Sequence, residues 1–144
     1  MAKKIVLPVL LAAVMAFLAS PAMAQSPLSV DAQAAQGFAA PGNNQAANIL
    51  VVVTNPLTGA AVTNLVQSDF SIINHFAIPG QVCGFSNNIV SFHNIGTGAY
   101  QIQVRLSHIN PQIVCAWVQG DYLGQVIVAS AQRLGQTAIK LSVR

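Results

Sequence analysis

The sequence predicts an all-β fold, an antiparallel β-sandwich of about seven or eight short strands. Short runs rich in β-branched residues follow one another from residue 48 onward. Turn-forming residues separate these runs about every 8–12 residues, as in sandwiches and small barrels. Helical periodicity is confined to the N-terminal segment and, weakly, to residues 31–36. The chain is long enough for one domain with its own core, and too short for two.

The first 24 residues have the composition of a secretory signal peptide. The segment begins with two positive residues at 3–4, continues with an uncharged apolar run at 5–18 and ends with a small-residue cleavage motif at 22–24. The apolar run is shorter than the roughly 20 residues that span a bilayer. We therefore expect cleavage before Gln25, an address in the periplasm or outside the cell, and no stable membrane insertion of the mature chain.

Removal of the signal peptide changes the charge balance. The chain loses Lys3 and Lys4, so four basic residues remain against three acidic ones, a net charge of +1. The four basic residues are scattered through the sequence and form no cluster that would attract phosphate backbones. Nucleic acid is therefore excluded as a partner.

Charged residues make up 6% of the chain, against about 25% in an ordinary domain. A surface with so few charges gives only weak electrostatic repulsion between protein molecules. We therefore expect a binding partner or self-association.

Residues 25–46 precede the predicted sandwich domain, which spans residues 47–144. Proline, glycine and asparagine interrupt this lead-in, and it has little periodicity. Two interpretations remain open for it. It is a flexible arm, or it docks as a short edge strand through Ser29-Val30 and Phe38.

The predicted strands follow in order after the lead-in. They cover residues 49–53, 61–65, 69–73, 89–92, 100–106, 114–118, 122–129 and 137–143. The clearest is residues 100–106, where Tyr100, Ile102 and Val104 alternate with polar residues, as in a sheet with one wet face. A tight turn is predicted after the first strand, because Pro56 fixes its own φ and Gly59 accepts a positive one.

Three stretches of the chain resemble secreted bacterial immunoglobulin-like domains. Residues 51–70, with a turn ending in Gly59 and then Asp69-Phe70, resemble their "D-x-x-G-x-P-V-x-G-L" turn followed by "D-F". Residues 96–104 resemble their "G-x-Y-x-x-x-V" stretch, and residues 117–128 their "W-x-x-G-D-Y-x-x-x-V-x-V" strand entry. The resemblance covers roughly residues 48–130 and implies an immunoglobulin-like antiparallel sandwich without assigning a subfamily. A fold of this kind does not specify a function.

The two cysteines, Cys83 and Cys115, predict a structural disulfide, because an even pair in an exported chain is normally oxidised. The bond would close a loop of about 33 residues and stabilise the domain by roughly 3–4 kcal/mol. We expect it to tie a mobile loop, residues 76–88, to the start of a strand.

No group of residues in the sequence has an enzyme signature. The acidic side chains are Asp31, Asp69 and Asp121, and the two that precede aromatic residues are expected to shape turns. The histidines, His75, His93 and His108, lack the close spacing that brings metal ligands together. The sequence therefore predicts a protein without catalytic residues, bound metal or cofactor.

A contact surface is predicted in and beside the loop of residues 76–88. Its members are aromatic side chains that could stack on a ligand and amides that could bond to hydroxyl groups: Phe76, Gln81, Phe85, Asn87, Asn88 and Tyr122. The predicted function is a non-enzymatic interaction or structural module whose partner is an exported protein or a second copy. One alternative is a carbohydrate-binding module, which the amide-rich, charge-poor composition favours. Another is a self-assembling surface subunit that exchanges edge strands.

Overall fold

The computed structural model describes residues 26–34, 41–76 and 78–144 of the chain. In these ranges the chain forms eight strands: β1 Ser26–Pro27, β2 Ser29–Ala34, β3 Ala47–Thr54, β4 Phe70–Phe76, β5 Ile89–Gly96, β6 Ala99–Val104, β7 Gly120–Ser130 and β8 Arg133–Val143. A 3-10 helix, Gln67–Asp69, leads into β4. The predicted signal peptide lies outside the described residues. Among the residues that are described, no helix has the length and hydropathy needed to cross a membrane.

The strands form two four-stranded sheets that pack face to face. One sheet has the order β1-β8-β7-β4 and the other the order β2-β3-β6-β5. Neighbouring strands are antiparallel, except that the short β1 runs parallel to β8. The predicted all-β sandwich is therefore confirmed.

The hydrophobic core lies between the two sheets and follows the period-2 alternation of the strands. On β3 the side chains of Ala47, Ile49, Val51 and Val53 are fully buried, while the residues between them are more exposed. The predicted inward face of β6 is also buried, and β7 and β8 present their own alternating apolar residues to it. Alternation places these residues inward because successive side chains of a strand point to opposite faces.

Part of the predicted lead-in belongs to the two sheets. β1 pairs with the start of β8, and β2 pairs along β3 in the opposite sheet. Leu28, between them, is buried. A Cβ atom on Gly135 would lie 2.6 Å from the carbonyl oxygen of Leu28, so the close approach of this segment to β8 requires glycine there. Residues 26–34 are thus docked strands and differ from the flexible arm considered for them; Phe38 lies outside the described residues.

Residues 61–65, predicted to be a strand, are irregular, because a tyrosine side chain takes the place of a strand partner. Apart from one bridge between Ala61 and Thr54, this segment has no ladder. The hydroxyl of Tyr100 donates to the carbonyl of Val62 at 2.6 Å and accepts the backbone N–H of Leu65 at 3.2 Å. These bonds satisfy buried backbone groups that would otherwise need a neighbouring strand.

Residues 114–118 are also irregular, where a strand is predicted. Trp117 pairs instead with the segment before β3: its N–H donates to the carbonyl of Asn43 at 2.7 Å and its carbonyl accepts the N–H of Gly42 at 2.8 Å. Its indole Nε1–H donates to the carbonyl of Gln45 at 2.8 Å. The fully buried indole packs edge-on to Tyr122, with ring centroids 5.0 Å apart. The apolar pattern of these residues therefore reflects a buried anchor for the segment before β3.

Candidate functional site

The predicted disulfide between Cys83 and Cys115 is present, and it joins two irregular segments at one end of the sandwich. Both half-cystines are buried. Beside the bond, Gly84 and Ser107 exchange two backbone hydrogen bonds, of 3.0 and 2.7 Å. The disulfide thus links two loops, whereas the sequence suggested a loop and a strand start. Both ends of residues 108–114, here called the anchored loop, are consequently attached to the adjacent residues 83 and 84.

The anchored loop has hydrogen bonds of its own. The ring Nδ1 of His108 accepts the N–H of Asn110 at 2.9 Å, and the side-chain oxygen of Asn110 accepts the N–H of Gln112 at 3.0 Å. The carbonyl of Asn110 accepts the N–H of Ile113 at 3.1 Å, and Pro111 fixes its own φ within this turn. The loop therefore has a defined shape as well as fixed ends.

Aliphatic side chains project from the two disulfide-linked segments. Ile109 is 99% exposed, Val114 93% and Val82 63%. Val82 and Val114 each adjoin a half-cystine, and the Cα atoms of the half-cystines are 5.8 Å apart. Residues 78–90 and 106–119 contain no Asp, Glu, Lys or Arg, and their one histidine, His108, accepts a hydrogen bond within the anchored loop. Val82, Ile109 and Val114, here called the apolar patch, are thus exposed aliphatic side chains on two segments that the disulfide and the Gly84–Ser107 hydrogen bonds join. Sequence reasoning missed this patch because it assigned Val114 to a strand.

Phe85, predicted to be a contact residue, is a core residue. It is fully buried, and its ring centroid lies 6.4 Å from that of Trp117. A Cβ atom on Gly124 would lie 2.7 Å from the Phe85 ring and 2.6 Å from the carbonyl oxygen of Ile73. The ring therefore rests directly on the backbone of β7. The signal that could have placed it was the glycine inside a predicted strand, since such glycines often mark a close approach.

Tyr122 is likewise structural, which corrects its prediction as a contact residue, whereas Gln81 is half-buried and its contact role stays a prediction. Tyr122 is fully buried; its hydroxyl accepts the N–H of Val118 at 2.9 Å and contacts the carbonyl of Val118 at 3.3 Å. The Gln81 side-chain amide donates to the carbonyl of Ala116 at 2.9 Å and to the Tyr122 hydroxyl at 3.3 Å. Both residues hold residues 116–118 in place.

Asn87 and Ser86 close the outer edge of β4. The side-chain oxygen of Asn87 accepts the N–H of Ile72 at 3.0 Å, and the N–H of Asn87 donates to the carbonyl of Ile72 at 2.8 Å. The Ser86 hydroxyl accepts the N–H of Asn74 at 2.8 Å. Asn87 has a φ of 51°, in the left-handed region that asparagine tolerates better than most residues. The edge strand is therefore covered by its own chain.

The two remaining predicted contact residues are Asn88 and Phe76. The Asn88 side chain donates to the carbonyl of Arg105 at 2.9 Å, so its amide holds the chain next to β6. Phe76 ends β4, and its side chain lies outside the described part of the structure. A contact role for Phe76 stays a prediction.

An open cavity of about 430 Å³ lies beside the edges of the two sheets, at the starts of β4 and β5. It is lined by Gln67, Ser68, Phe70, Ser71, Asn87 and Ile89. None of these residues is charged. Of the predicted contact residues, only Asn87 lines this cavity.

The histidines are held apart by separate hydrogen bonds. His75 contacts the Gln125 amide at 3.1 Å, His93 contacts the Ser91 hydroxyl at 3.0 Å, and His108 accepts within the anchored loop. Over residues 26–34, 41–76 and 78–144, no three histidine, cysteine or acidic side chains are grouped as metal ligands.

Asp121 is the acceptor of a polar cluster at the end of β8. Its Oδ1 accepts from the Ser142 hydroxyl at 2.8 Å and from Arg144 at 2.9 Å, and Lys140 lies 3.5 Å from its Oδ2. The Ser142 hydrogen bond has the largest effect on the pKa of Asp121 and, together with the Arg144 and Lys140 cations, holds that pKa below its usual value, although desolvation raises it.

The lowered pKa of Asp121 predicts a pH-dependent contribution to stability. The contribution is present above the unfolded-state pKa of about 3.9 and is lost as the pH falls through the folded-state pKa. Asp121→Asn should therefore lower the urea midpoint at neutral pH, and the difference from wild type should vanish toward about pH 2. Added salt should also reduce it, since the partners are solvent-exposed. Asp31→Asn, an exposed aspartate on β2, is the matched control with no expected effect. A difference for Asp121→Asn that is independent of pH would contradict this assignment.

Comparisons with known proteins find no matching family model, no similar curated protein and no similar solved structure. Functional conclusions therefore depend on the residues of this chain.

Proposed function

We propose that the protein is an exported, non-enzymatic module of immunoglobulin-like type that binds a protein partner through the apolar patch. The observation that carries this proposal is the exposure of Ile109 and Val114, 99% and 93%, on a loop whose two ends are fixed. Exposed aliphatic groups gain roughly 25 cal/mol for each Å² that a partner removes from water. A loop that is already ordered loses little conformational entropy when it binds.

The chemistry of the patch defines the kind of partner that fits. Residues 78–90 and 106–119 contain no Asp, Glu, Lys or Arg, so a charged partner surface would lose hydration without gaining an ion pair with such a residue. Interface centres are commonly depleted in charge and rich in apolar groups. We therefore propose an apolar, uncharged surface on another exported protein as the partner site.

Two features support the immunoglobulin-like part of the proposal. The order β2-β3-β6-β5 opposite β4-β7-β8 is that of the ABED and CFG sheets of constant-type domains. Tyr122, at the start of β7, bonds to the backbone four residues upstream, as the tyrosine corner of such domains does. The position of the disulfide differs from that in antibody domains. In those domains the second half-cystine lies two residues after the corner tyrosine. Here that position is Gly124, and the Phe85 ring packs on its backbone.

The export part of the proposal is supported by the disulfide and by the sequence of residues 1–24. Structural disulfides persist in oxidising compartments and are rare in the cytosol. The signal-like segment leads to the same address, the periplasm or the exterior.

The two alternatives rest on weaker features. The amide-rich, charge-poor composition suggested a carbohydrate-binding module, but the described structure offers no exposed aromatic ring on which a sugar could stack. All six aromatic residues whose side chains are described are buried or half-buried: Phe70, Phe85, Phe92, Tyr100, Trp117 and Tyr122. Strand exchange suggested a self-assembling subunit. The edge of β4 is closed by Asn87 and Ser86, and β5 has two register shifts along its pairing with β6, a feature that blunts edge pairing.

Site-specific photo-crosslinking in the producing cell tests the proposal. A photoreactive residue at Gln112, inside the anchored loop, should give a discrete adduct with another exported protein. The double variant Ile109→Ser/Val114→Ser should abolish this adduct, because it removes the apolar contact. It should change the free energy of unfolding by no more than about 0.5 kcal/mol, since both side chains are exposed.

Leu57 provides the matched control for this experiment. It is an aliphatic residue that is 87% exposed in the turn after β3, away from the disulfide-linked segments. A photoreactive residue at position 57 should give no adduct, and Leu57→Ser should leave the Gln112 adduct intact. Adducts of the chain only with itself would make the protein a structural assembly, and equal labelling from both positions would refute the patch.

A further inference from the structure

We infer that the cavity beside β4 and β5 is a binding site for a short neutral saccharide. The site is separate from the apolar patch and does not depend on the partner proposed for that patch. Its volume of about 430 Å³ falls in the range of small-molecule sites.

Four polar residues line this cavity, and their side chains have unused hydrogen-bonding groups. Gln67, Ser68 and Ser71 make no side-chain hydrogen bond within the described residues. Asn87 uses its side-chain oxygen on Ile72 and leaves its Nδ2 donors unused. Amides and hydroxyls both donate and accept, which is what the hydroxyl groups of a sugar require.

The apolar part of the lining is held rigidly. Phe70, at the start of β4, packs against Phe92 and Tyr100, with ring centroids 5.2 and 5.1 Å away. Ile89 is half-buried beside it. Asn87 is held by two hydrogen bonds to Ile72, at 2.8 and 3.0 Å, so its free amide has a fixed position. A site that is already ordered loses less entropy when a ligand binds.

Charge and edge geometry narrow the ligand class. The lining has no ionisable side chain, and the neighbouring Asp69 carboxylate accepts the N–H of Val66 at 2.8 Å. No side chain of the lining could therefore form an ion pair with a charged ligand. An extended peptide would need the outer edge of β4, where the Ile72 and Asn74 backbone groups already bond to Asn87 and Ser86. Polar and apolar groups contribute about equally to the lining, so a purely apolar ligand would leave polar groups without partners. A neutral, polyhydroxylated ligand remains.

Amide-resolved NMR titration of the oxidised mature chain tests this inference. The probes are maltose, cellobiose, lactose and N,N′-diacetylchitobiose, each added separately, with glucuronic acid as a charged comparison. At least one neutral disaccharide should shift the amide signals of residues 67–71 and 87–89 with a common dissociation constant. Glucuronic acid should shift them less.

Two variants separate binding from folding. Asn87→Asp keeps the oxygen that accepts from Ile72 and removes the Nδ2 donors, and Gln67→Ala removes an exposed amide that bonds to nothing in the described chain. Each should weaken saccharide binding by about threefold to tenfold, the effect of losing one hydrogen bond. Gln136→Ala, an exposed glutamine on β8, should leave binding unchanged. If Asn87→Asp does not fold, Gln67→Ala decides alone.

Three results would overturn the inference: no shift with any of the four disaccharides, shifts centred on residues 82, 109 and 114, or a stronger response to glucuronic acid. The double variant Ile109→Ser/Val114→Ser should retain the saccharide shifts. Loss of partner binding and loss of saccharide binding are therefore distinguishable.

Discussion

Replacing Phe85 by alanine is expected to lower the free energy of unfolding by about 3–5 kcal/mol. The ring is fully buried and lies on the bare backbone of Gly124, next to Trp117. Its removal would leave a cavity that the strand beneath cannot fill, because Gly124 has no side chain and β7 is held on both sides by β4 and β8. Urea unfolding of the oxidised mature protein would measure the loss, which is a large share of a typical 5–15 kcal/mol stability.

The control for Phe85 is Leu57→Ala, which shortens a side chain that is 87% exposed and should change stability by no more than about 0.5 kcal/mol. Phe85→Leu should lose less than Phe85→Ala, since it leaves a smaller cavity. Unchanged stability with impaired partner binding would instead restore the contact role that the sequence suggested for this residue.

Removing the disulfide with Cys83→Ala/Cys115→Ala is expected to cost about 3–4 kcal/mol. The half-cystines are 32 residues apart, so the bond restricts a long loop of the unfolded chain. Alanine is the suitable replacement because both positions are buried and serine would place an unpaired hydroxyl there. Urea unfolding of the double variant and of oxidised and reduced wild type measures this cost in two ways. The comparison of oxidised with reduced wild type involves no change of sequence.

The same comparison reports on the anchored loop. Without the bond, the loop of residues 108–114 keeps the Gly84–Ser107 hydrogen bonds at one end and the anchoring of Trp117 beyond the other, but Cys115 is no longer tied to residue 83. Thermolysin should therefore cleave near Ile109 or Val114 in reduced but not in oxidised protein. Two free thiols in unreduced mature protein by Ellman assay would refute the bond itself. Equal resistance of both forms to the protease would show that the loop does not need the disulfide for its shape.

The strand pattern was predictable because it depends on local physics. Alternation along residues 100–104 determined which side chains face the core, and the structure buries Tyr100, Ile102 and Val104 as expected. The turn at residues 55–59 likewise follows from its own residues, with Gly59 at a φ of 70° and its N–H bonded to the carbonyl of Asn55. The cysteine pairing needed no geometry, since only one pairing is possible.

The contact residues were harder to predict because loops lack periodicity. Phe85 and Tyr122 are aromatic residues in or beside a loop, and their composition alone is compatible with exposure or burial. Burial follows from the bare backbone of Gly124 in one case and from the Val118 backbone in the other. Gly124 is distant in sequence from Phe85, and Val118 lies in a segment that was predicted to be a strand. The exposed Val114 was misplaced because the apolar pattern of residues 114–118 predicts a strand.

By itself the sequence determined the all-β class, the inward face of β6, the tight turn after β3 and the cysteine pair. These depend on the alternation of neighbouring residues, on the φ preferences of proline and glycine, and on there being only two cysteines. Only the tertiary structure decided which strands pair, that residues 26–34 join both sheets, and that Ile109 and Val114 face solvent while Phe85 does not. Those outcomes depend on contacts between residues far apart in the chain, which no local pattern encodes.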